Sequence, residues 1–206
     1  MTKKRDMYHE GSRQLQDMFD SRRIADRLEQ VTVHDVFTDD DRGVIESAPM
    51  FFLATADEQG QPDCSYKGGL PGFVRMVDEH TLAFPNYNGN GMYRSMGNIV
   101  KNPQVGMLFI DFEQGDRMRV NGKATLHYND PLLKDFEGAQ FIVRVKAKHI
   151  FPNCPRYIHR MEMKSFSEYA PKKGRKAPIP DWKLADVFCD YLPQKDIDEI
   201  RKKGKG

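Results

Sequence analysis

The chain has 206 residues, enough for one large domain or two small ones. Hydrophobic residues make up 39%, and the 16 glycines raise the apolar share to about 47%, which excludes a disordered protein. The 32 basic residues nearly cancel the 30 acidic ones, and a net charge of +2 leaves no broad field to attract nucleic acid or an anionic membrane.

The stretch Met1–Asp6 is basic with no apolar run behind it, so no signal peptide is expected. No apolar run approaches the ~20 residues of a bilayer helix. Cys64, Cys154 and Cys189 are odd in number, far apart and without a CxxC pair, which argues against a disulfide framework and a structural zinc site. A cytoplasmic setting is the expectation.

Residues 12–29 predict one amphipathic helix, with Leu15, Met18, Phe19, Ala25 and Leu28 at near-helical spacing. Thr38-Asp39-Asp40-Asp41 has the form of a capping box and predicts a short helix through about Glu46, rather than a metal site. The texture then changes. Met50–Thr55, Asp63–Gly69, Phe73–Val77 and Thr81–Phe84 read as short strands separated by Gly, Pro and Asp turns, the pattern of an antiparallel meander. After a loop at Asn86–Gly91, a short helix runs from Tyr93 to Val100 and stops at Asn102-Pro103. Val105–Phe112 and Arg117–Tyr128 are strands, the second with Met118, Val120, Ala124 and Leu126 facing one way and Arg117, Arg119, Asn121 and Lys123 the other. Met76, Met107 and Met118 read as core filler. Pro131–Glu137 predicts a short helix. In Phe141–Ile150, Val143, Val145 and Ala147 oppose Arg144, Lys146 and Lys148. Pro171–Pro180 is a loop, and Asp181–Tyr191 and Gln194–Ile200 predict helices before a Lys/Gly tail.

About seven strands with two-sided alternation predict a mainly β fold, a six- to seven-stranded antiparallel barrel with flanking helices. The chain reads as a single domain over 1–206. Residues 1–47 form a helical N-terminal segment, 48–165 the barrel, and 166–206 a C-terminal loop and helices. Arg144, Lys146 and Lys148 and the tail at Lys202–Lys205 lack interleaved stacking aromatics, so they read as solvated charge and no nucleic-acid partner is expected. Nor is a membrane partner expected.

The most informative stretch is Phe84-Pro85-Asn86-Tyr87-Asn88-Gly89-Asn90-Gly91-Met92-Tyr93-Arg94-Ser95: strand, Gly/Asn-rich loop, helix start. Glycines let backbone N–H groups approach a ligand, and a helix N-terminus offers unpaired N–H groups to an anion. Arg94 and Ser95 in the first turn add a guanidinium and a hydroxyl. Equally, such a loop could merely turn a corner. Gly89-x-Gly91 also resembles part of a dinucleotide fingerprint, with Arg94 where the third glycine belongs and Asp111 near the place of a ribose-binding acid, so a nicotinamide-dinucleotide enzyme is a weaker alternative. A second stretch, Cys64-Ser65-Tyr66-Lys67-Gly68-Gly69-Leu70-Pro71-Gly72-Phe73, could lay its backbone along a flat ring; as a plain structural feature it is a bulge or turn.

Taken in order, Phe52-Leu53-Ala54-Thr55, Ser65-Tyr66-Lys67-Gly68-Gly69, Pro71-Gly72-Phe73-Val74, Arg94-Ser95-Met96-Gly97-Asn98-Ile99, Asn102-Pro103-Gln104-Val105-Gly106 and Arg119-Val120-Asn121-Gly122-Lys123-Ala124 resemble the pyridoxamine 5′-phosphate oxidase-like, FMN-binding split-barrel family over roughly residues 45–130. The resemblance implies a homodimer with FMN between the subunits. It implies that Ser65, Tyr66, Lys67 and Gly68 run along the flavin and ribityl chain, and that Phe84 and Pro85 lie beside the ring. Asn90 belongs to the cofactor loop, Arg94 and Ser95 to the phosphate site, and Arg117 reaches the flavin from the other subunit. The oxidase's C-terminal Trp, Arg and His signature does not align with Phe151–Arg160 or Trp182–Leu184, so the resemblance is to an oxidase-related branch. The expected function is an FMN-dependent oxidoreductase acting on a small molecule, with no assigned catalytic residue and no metal. The alternative is a non-catalytic flavin- or haem-binding barrel. Cys154, Arg156, His159 and Arg160 read either as a substrate-anion pocket or as an ordinary surface strand.

Overall fold

A computed structural model of the protein describes residues 7–203. The chain falls into two compact units, Met1–Phe166 and Ser167–Gly206.

The first unit is built on seven strands: β1 (Met50–Ala56), β2 (Pro62–Gly68), β3 (Arg75–Asp78), β4 (Thr81–Tyr87), β5 (Gln104–Ile110), β6 (Arg117–His127) and β7 (Ala139–Pro152). They form one sheet in the order β2-β1-β5-β6-β7-β4-β3, and every pairing is antiparallel. In a flat sheet β1 and β4 would lie roughly 19 Å apart, four strand spacings of about 4.8 Å. Instead the Phe51 ring on β1 meets the Phe84 ring on β4 edge-on at 5.0 Å. The sheet is therefore rolled over its own core, with β2 and β3 left as the two edges of a split barrel.

Alternation decides which side chains fill that barrel. Phe51 and Leu53, Leu82 and Phe84, Met107 and Phe109, Val120, and Val143 and Val145 are buried in one cluster, with Ile45 added from the helix that precedes β1. The methionines Met76, Met107 and Met118 belong to the same core. On β7 the inward parity changes once. Asn121 pairs with His149, and Gly122 pairs with Ala147, so Lys148 is an extra residue. This bulge moves the buried set from Val143, Val145 and Ala147 to Ile150.

Gly122 sits at that irregularity, where a Cβ would lie 2.2 Å from the Lys146 carbonyl oxygen. The obstacle is backbone, which cannot rotate away. Gly122→Ala is therefore expected to destabilise the fold by about 1–3 kcal/mol, the range for overpacking. Gly43→Ala, in a helix with nothing within 4 Å of the new methyl, should be neutral or slightly stabilising. Urea denaturation of the two variants checks the contrast.

Three helices precede the strands: α1 (Glu10–Met18), α2 (Arg22–Thr32) and α3 (Asp39–Ser47). The single helix predicted over 12–29 is broken, because Asp20 takes a left-handed conformation (φ 47°) that aspartate tolerates better than most residues. Its predicted apolar face is also mostly unburied: Ala25 is covered, whereas Leu15, Met18, Phe19 and Leu28 are exposed. The capping box at Thr38 is present in both directions. The Asp41 carboxylate accepts from the Thr38 N–H and from His34 Nε2, both at 2.8 Å, so it serves the helix start. His34 also exchanges backbone hydrogen bonds with Ile150, tying this segment to β7.

Several boundaries differ from the sequence reading. β3 begins at Arg75, because Phe73 and Val74 turn into the core before it. Pro131–Asp135 is a single 3-10 turn capped by Asp130. The helix α4 (Arg94–Lys101) joins β4 to β5.

In the second unit the helix predicted over Asp181–Tyr191 is split by extended Ala185 into a 3-10 turn, Asp181–Leu184, and the short α5 (Asp186–Cys189). The helix α6 (Gln194–Lys203) follows. A buried ion pair, Lys183 Nζ to Asp196 Oδ2 at 2.8 Å, joins the turn to α6. Among the described residues no helix is long and apolar enough to cross a membrane. Of the tail at Lys202–Lys205, residues beyond 203 lie outside the described part, as do the residues of the Met1–Asp6 stretch.

Candidate functional site

Three elements enclose an open cavity of about 240 Å³: the edge strand β2, the loop from β4 into α4, and the first turn of α4. On β2 the inward-facing residues are Asp63, Ser65 and Lys67, opposite Thr55, Leu53 and Phe51 of β1. All three line the cavity. From the loop come Asn86, Tyr87, Gly89, Asn90, Gly91 and Met92, and from α4 come Arg94, Ser95 and Met96.

The loop's shape follows from its residues. Asn90 Oδ1 accepts the Met92 N–H at 3.0 Å, and Gly91 takes φ 80°, a conformation open to glycine. Tyr93, the residue before α4, is also left-handed (φ 49°) and gives the helix no side-chain cap. Gln140 of β7 braces both ends of the loop, since its Oε1 accepts from Asn86 Nδ2 and from the Tyr93 hydroxyl, each at 3.0 Å. The result is an uncapped helix start held facing β2.

Charge is concentrated there. Ser95 Oγ donates to Asp63 Oδ2 at 3.0 Å, and Arg94 Nε donates to Asp63 Oδ1 at 3.4 Å. Burial lowers the pKa of Lys67, and the Asp63 carboxylate acts against that shift. Burial pushes the Tyr87 hydroxyl up to about 12. Two cations, one carboxylate and several hydroxyls and side-chain amides thus share a small cavity that opens onto the N–H groups of an uncapped helix start.

Of the ten residues assigned to a cofactor from the sequence, this cavity gathers Ser65, Lys67, Asn90, Arg94 and Ser95. The other five lie elsewhere. Tyr66 and Gly68 point to the opposite face of β2, because a strand alternates. There the Tyr66 ring lies against Phe52 and folds over Gly68. Phe84 is in the core, and Pro85 beside it is buried. Arg117 is on β6, opposite Ile110, and its buried Nε has no hydrogen-bond partner. Burial and the neighbouring Arg117 charge lower the pKa of Arg119. Asp63 was missed, although the same alternation that pairs Ser65 with Lys67 places it with them. Gln140 was missed because nothing in its surroundings marks it.

Neither Cys154 nor Arg156, His159 or Arg160 lines the cavity. Arg160 donates to the Glu113 carbonyl, and Arg156 lies over the Tyr157 ring. The Asp111 carboxylate is taken up by the N–H groups of Glu113 and Gln114 in the β5–β6 turn. With every strand pairing antiparallel, the βαβ unit that a dinucleotide fingerprint requires is not formed around Gly89-x-Gly91. Among the described residues no group of three or more His, Cys, Asp or Glu could hold a metal ion.

An antiparallel split barrel with a basic, Gly-rich cavity at a helix start defines a class, and the class has a sequence counterpart. The chain belongs to the pyridoxamine 5′-phosphate oxidase family, whose sequence profile matches residues 37–176. None of the curated proteins matches the chain. Similar solved structures include HupZ of Group A Streptococcus, 21% identical, with 56% of this chain and 93% of that one covered and a TM-score of 0.46. An FMN-binding protein of Syntrophomonas wolfei is 11% identical, with 68% and 97% covered and a TM-score of 0.44. HutZ, a haem storage protein of Vibrio cholerae, is 16% identical, with 55% and 93% covered and a TM-score of 0.40.

Proposed function

We propose that the protein is an FMN-dependent oxidoreductase of the cytoplasm that acts on a small molecule. In this reading the β2–α4 cavity takes the phosphate end of FMN. The observation that carries it is the convergence of Lys67, Arg94 and Ser95 on one cavity at an uncapped helix start. Lys67 and Arg94 are far apart in sequence, and the donor set suits a phosphate ester. Arg94 and Lys67 would neutralise it, Ser95 would donate its hydroxyl proton, and the left-handed Gly91 lets the loop backbone turn toward it. When bound, FMN supplies hydride or electron transfer.

A volume of about 240 Å³ falls short of the ~300–1,000 Å³ of a typical small-molecule site. The rest of a flavin needs a second wall, and a second copy of the chain is the proposed source. The opposite face of the sheet offers such a copy a surface to pack on. Tyr66, Phe52 and Leu108 share that face with Arg119, and Ile110 shares it with Arg117. Tyr66 is exposed there, and Arg117 carries the unpartnered Nε.

A non-catalytic flavin- or haem-binding barrel is the second reading. The absorption spectrum of the purified protein, mass spectrometry of the released ligand and anaerobic addition of NADH or NADPH separate the two. A yellow protein bleached by either donor is the expected result. A yellow protein that neither donor reduces, or a haem spectrum, supports the second reading. A colourless protein without affinity for FMN overturns the flavin reading.

A further inference from the structure

The cavity already holds an anion of its own. Asp63 accepts both the Ser95 hydroxyl and the Arg94 Nε, two of the donors a phosphate would use. A serine hydroxyl has a single proton to give, so Asp63 and a ligand oxygen cannot both receive it. The carboxylate is mostly buried, with 19% of its side chain exposed, so solvent screens its charge only in part. Its negative charge thus acts on both cations of the cavity, on Arg94 by direct contact and on Lys67 by opposing the lowering of its pKa.

β2 is an edge strand, hydrogen-bonded to β1 alone, and the flanking Pro62 and Cys64 are exposed. The Asp63 side chain therefore has solvent beside it to turn into. Its cross-strand neighbour Thr55 is engaged with Asn98, whose Nδ2 donates to Thr55 Oγ1 at 3.0 Å, so the Asp63–Arg94–Ser95 contact is separate from the helix–sheet packing beneath it.

We propose that Asp63 is a resident competitor: its carboxylate occupies the anion position of the cavity, must be displaced from Arg94 and Ser95 when a phosphate monoester enters, and so holds down the affinity for phosphorylated ligands relative to their uncharged counterparts. This rests on the phosphate site proposed above and adds a residue that sets how strongly ligand charge counts there.

The test uses the full chain with Asp63→Asn, Asp63→Ala and, as a control that removes the same charge at the neighbouring β1–β2 turn, Glu58→Gln. FMN, riboflavin and inorganic phosphate are the probes. Asp63→Asn and Asp63→Ala should each bind FMN at least tenfold more tightly than the unmodified protein, with riboflavin affinity unchanged and Glu58→Gln indistinguishable from the parent. FMN affinity that stays the same or falls in both Asp63 variants overturns the proposal, and a fall in both assigns Asp63 to positioning Arg94 and Ser95 instead. If no variant binds FMN, it is the flavin reading that has failed, and inorganic phosphate decides about Asp63 independently. Greater thermal stabilisation of the Asp63 variants by phosphate upholds the resident anion; equal or absent stabilisation overturns it.

Discussion

Arg144→Met should lower the stability of the protein by about 3 kcal/mol at neutral pH, the lower end of the range for breaking a buried ion pair. For a chain of this size that corresponds to a fall in Tm of roughly 6–12 °C. Arg144 projects from β7 onto Asp130, with Nε on Oδ2 at 2.6 Å and Nη2 on Oδ1 at 3.1 Å. The Asp130 side chain is 2% exposed, and it also caps the turn that follows by accepting the Leu132 N–H. Removing the guanidinium leaves a buried carboxylate with its main partner gone. The pH dependence identifies the cause. The Arg144 hydrogen bond is the largest influence holding the Asp130 pKa below its ordinary value, followed in the same direction by the Leu132 N–H, while burial opposes both. A carboxyl whose folded pKa is depressed contributes stability that is present above its unfolded pKa and is lost as pH falls through the folded one. The gap between Arg144→Met and the parent should therefore be full at pH 7 and narrow below about pH 4. Urea denaturation at both ends of that range reads it. A gap of equal size throughout would assign the loss to packing of the arginine stem.

The same arginine shows how far strand alternation carries and where it stops. Val143, Val145 and Ala147 are read correctly as the inner set of β7, and Arg144 falls on the other face. Alternation says nothing, however, about a carboxylate arriving from the turn 14 residues earlier, so Arg144 reads as solvated charge until the fold brings Asp130 to it. The bulge at Lys148 is equally silent, because one extra residue leaves no mark in composition and shows only as a changed parity at Ile150. The seven strands, their antiparallel arrangement and the capping box at Thr38 are legible because each depends on local chemistry with period two or a three-residue offset. The break at Asp20 and the split at Ala185 are not, since single backbone conformations decide both.

The candidate site divides along the same line. Asn90, Arg94 and Ser95 lie in one loop and helix turn, where the local pattern of glycine, asparagine and a basic helix start already suggests an anion. Ser65 and Lys67 belong to the second stretch, whose Ser, Lys and glycines suit a flat ring or phosphate and to which the resemblance gives a role, and the structure joins them to that turn through β2. Alternation puts Tyr66 and Gly68 on the far face of β2 and brings Asp63 in beside Ser65 and Lys67. Arg117 could be suggested only by resemblance, because no local pattern distinguishes it from the other outward residues of β6. Its buried, unpartnered Nε is visible only in three dimensions.

Arg94→Ala is expected to weaken FMN binding by 1.5–3 kcal/mol, the range for a hydrogen bond to a charged group. Since the Arg94 side chain is 63% exposed, solvent screening places the effect near the lower limit, about a tenfold rise in Kd. Riboflavin, which lacks the phosphate, should bind the variant and the parent alike; titration against flavin fluorescence measures both. The comparison with Asp63 sharpens the result, because Arg94 and Asp63 are the two halves of one ion pair. If the pair only braced β2 against α4, removing either partner would loosen the cavity and weaken FMN binding. If Arg94 is the ligand's cation and Asp63 its rival, the two substitutions move FMN affinity in opposite directions while riboflavin affinity stays level. Equal losses in both variants would make the pair a structural brace and would move the phosphate position away from the start of α4.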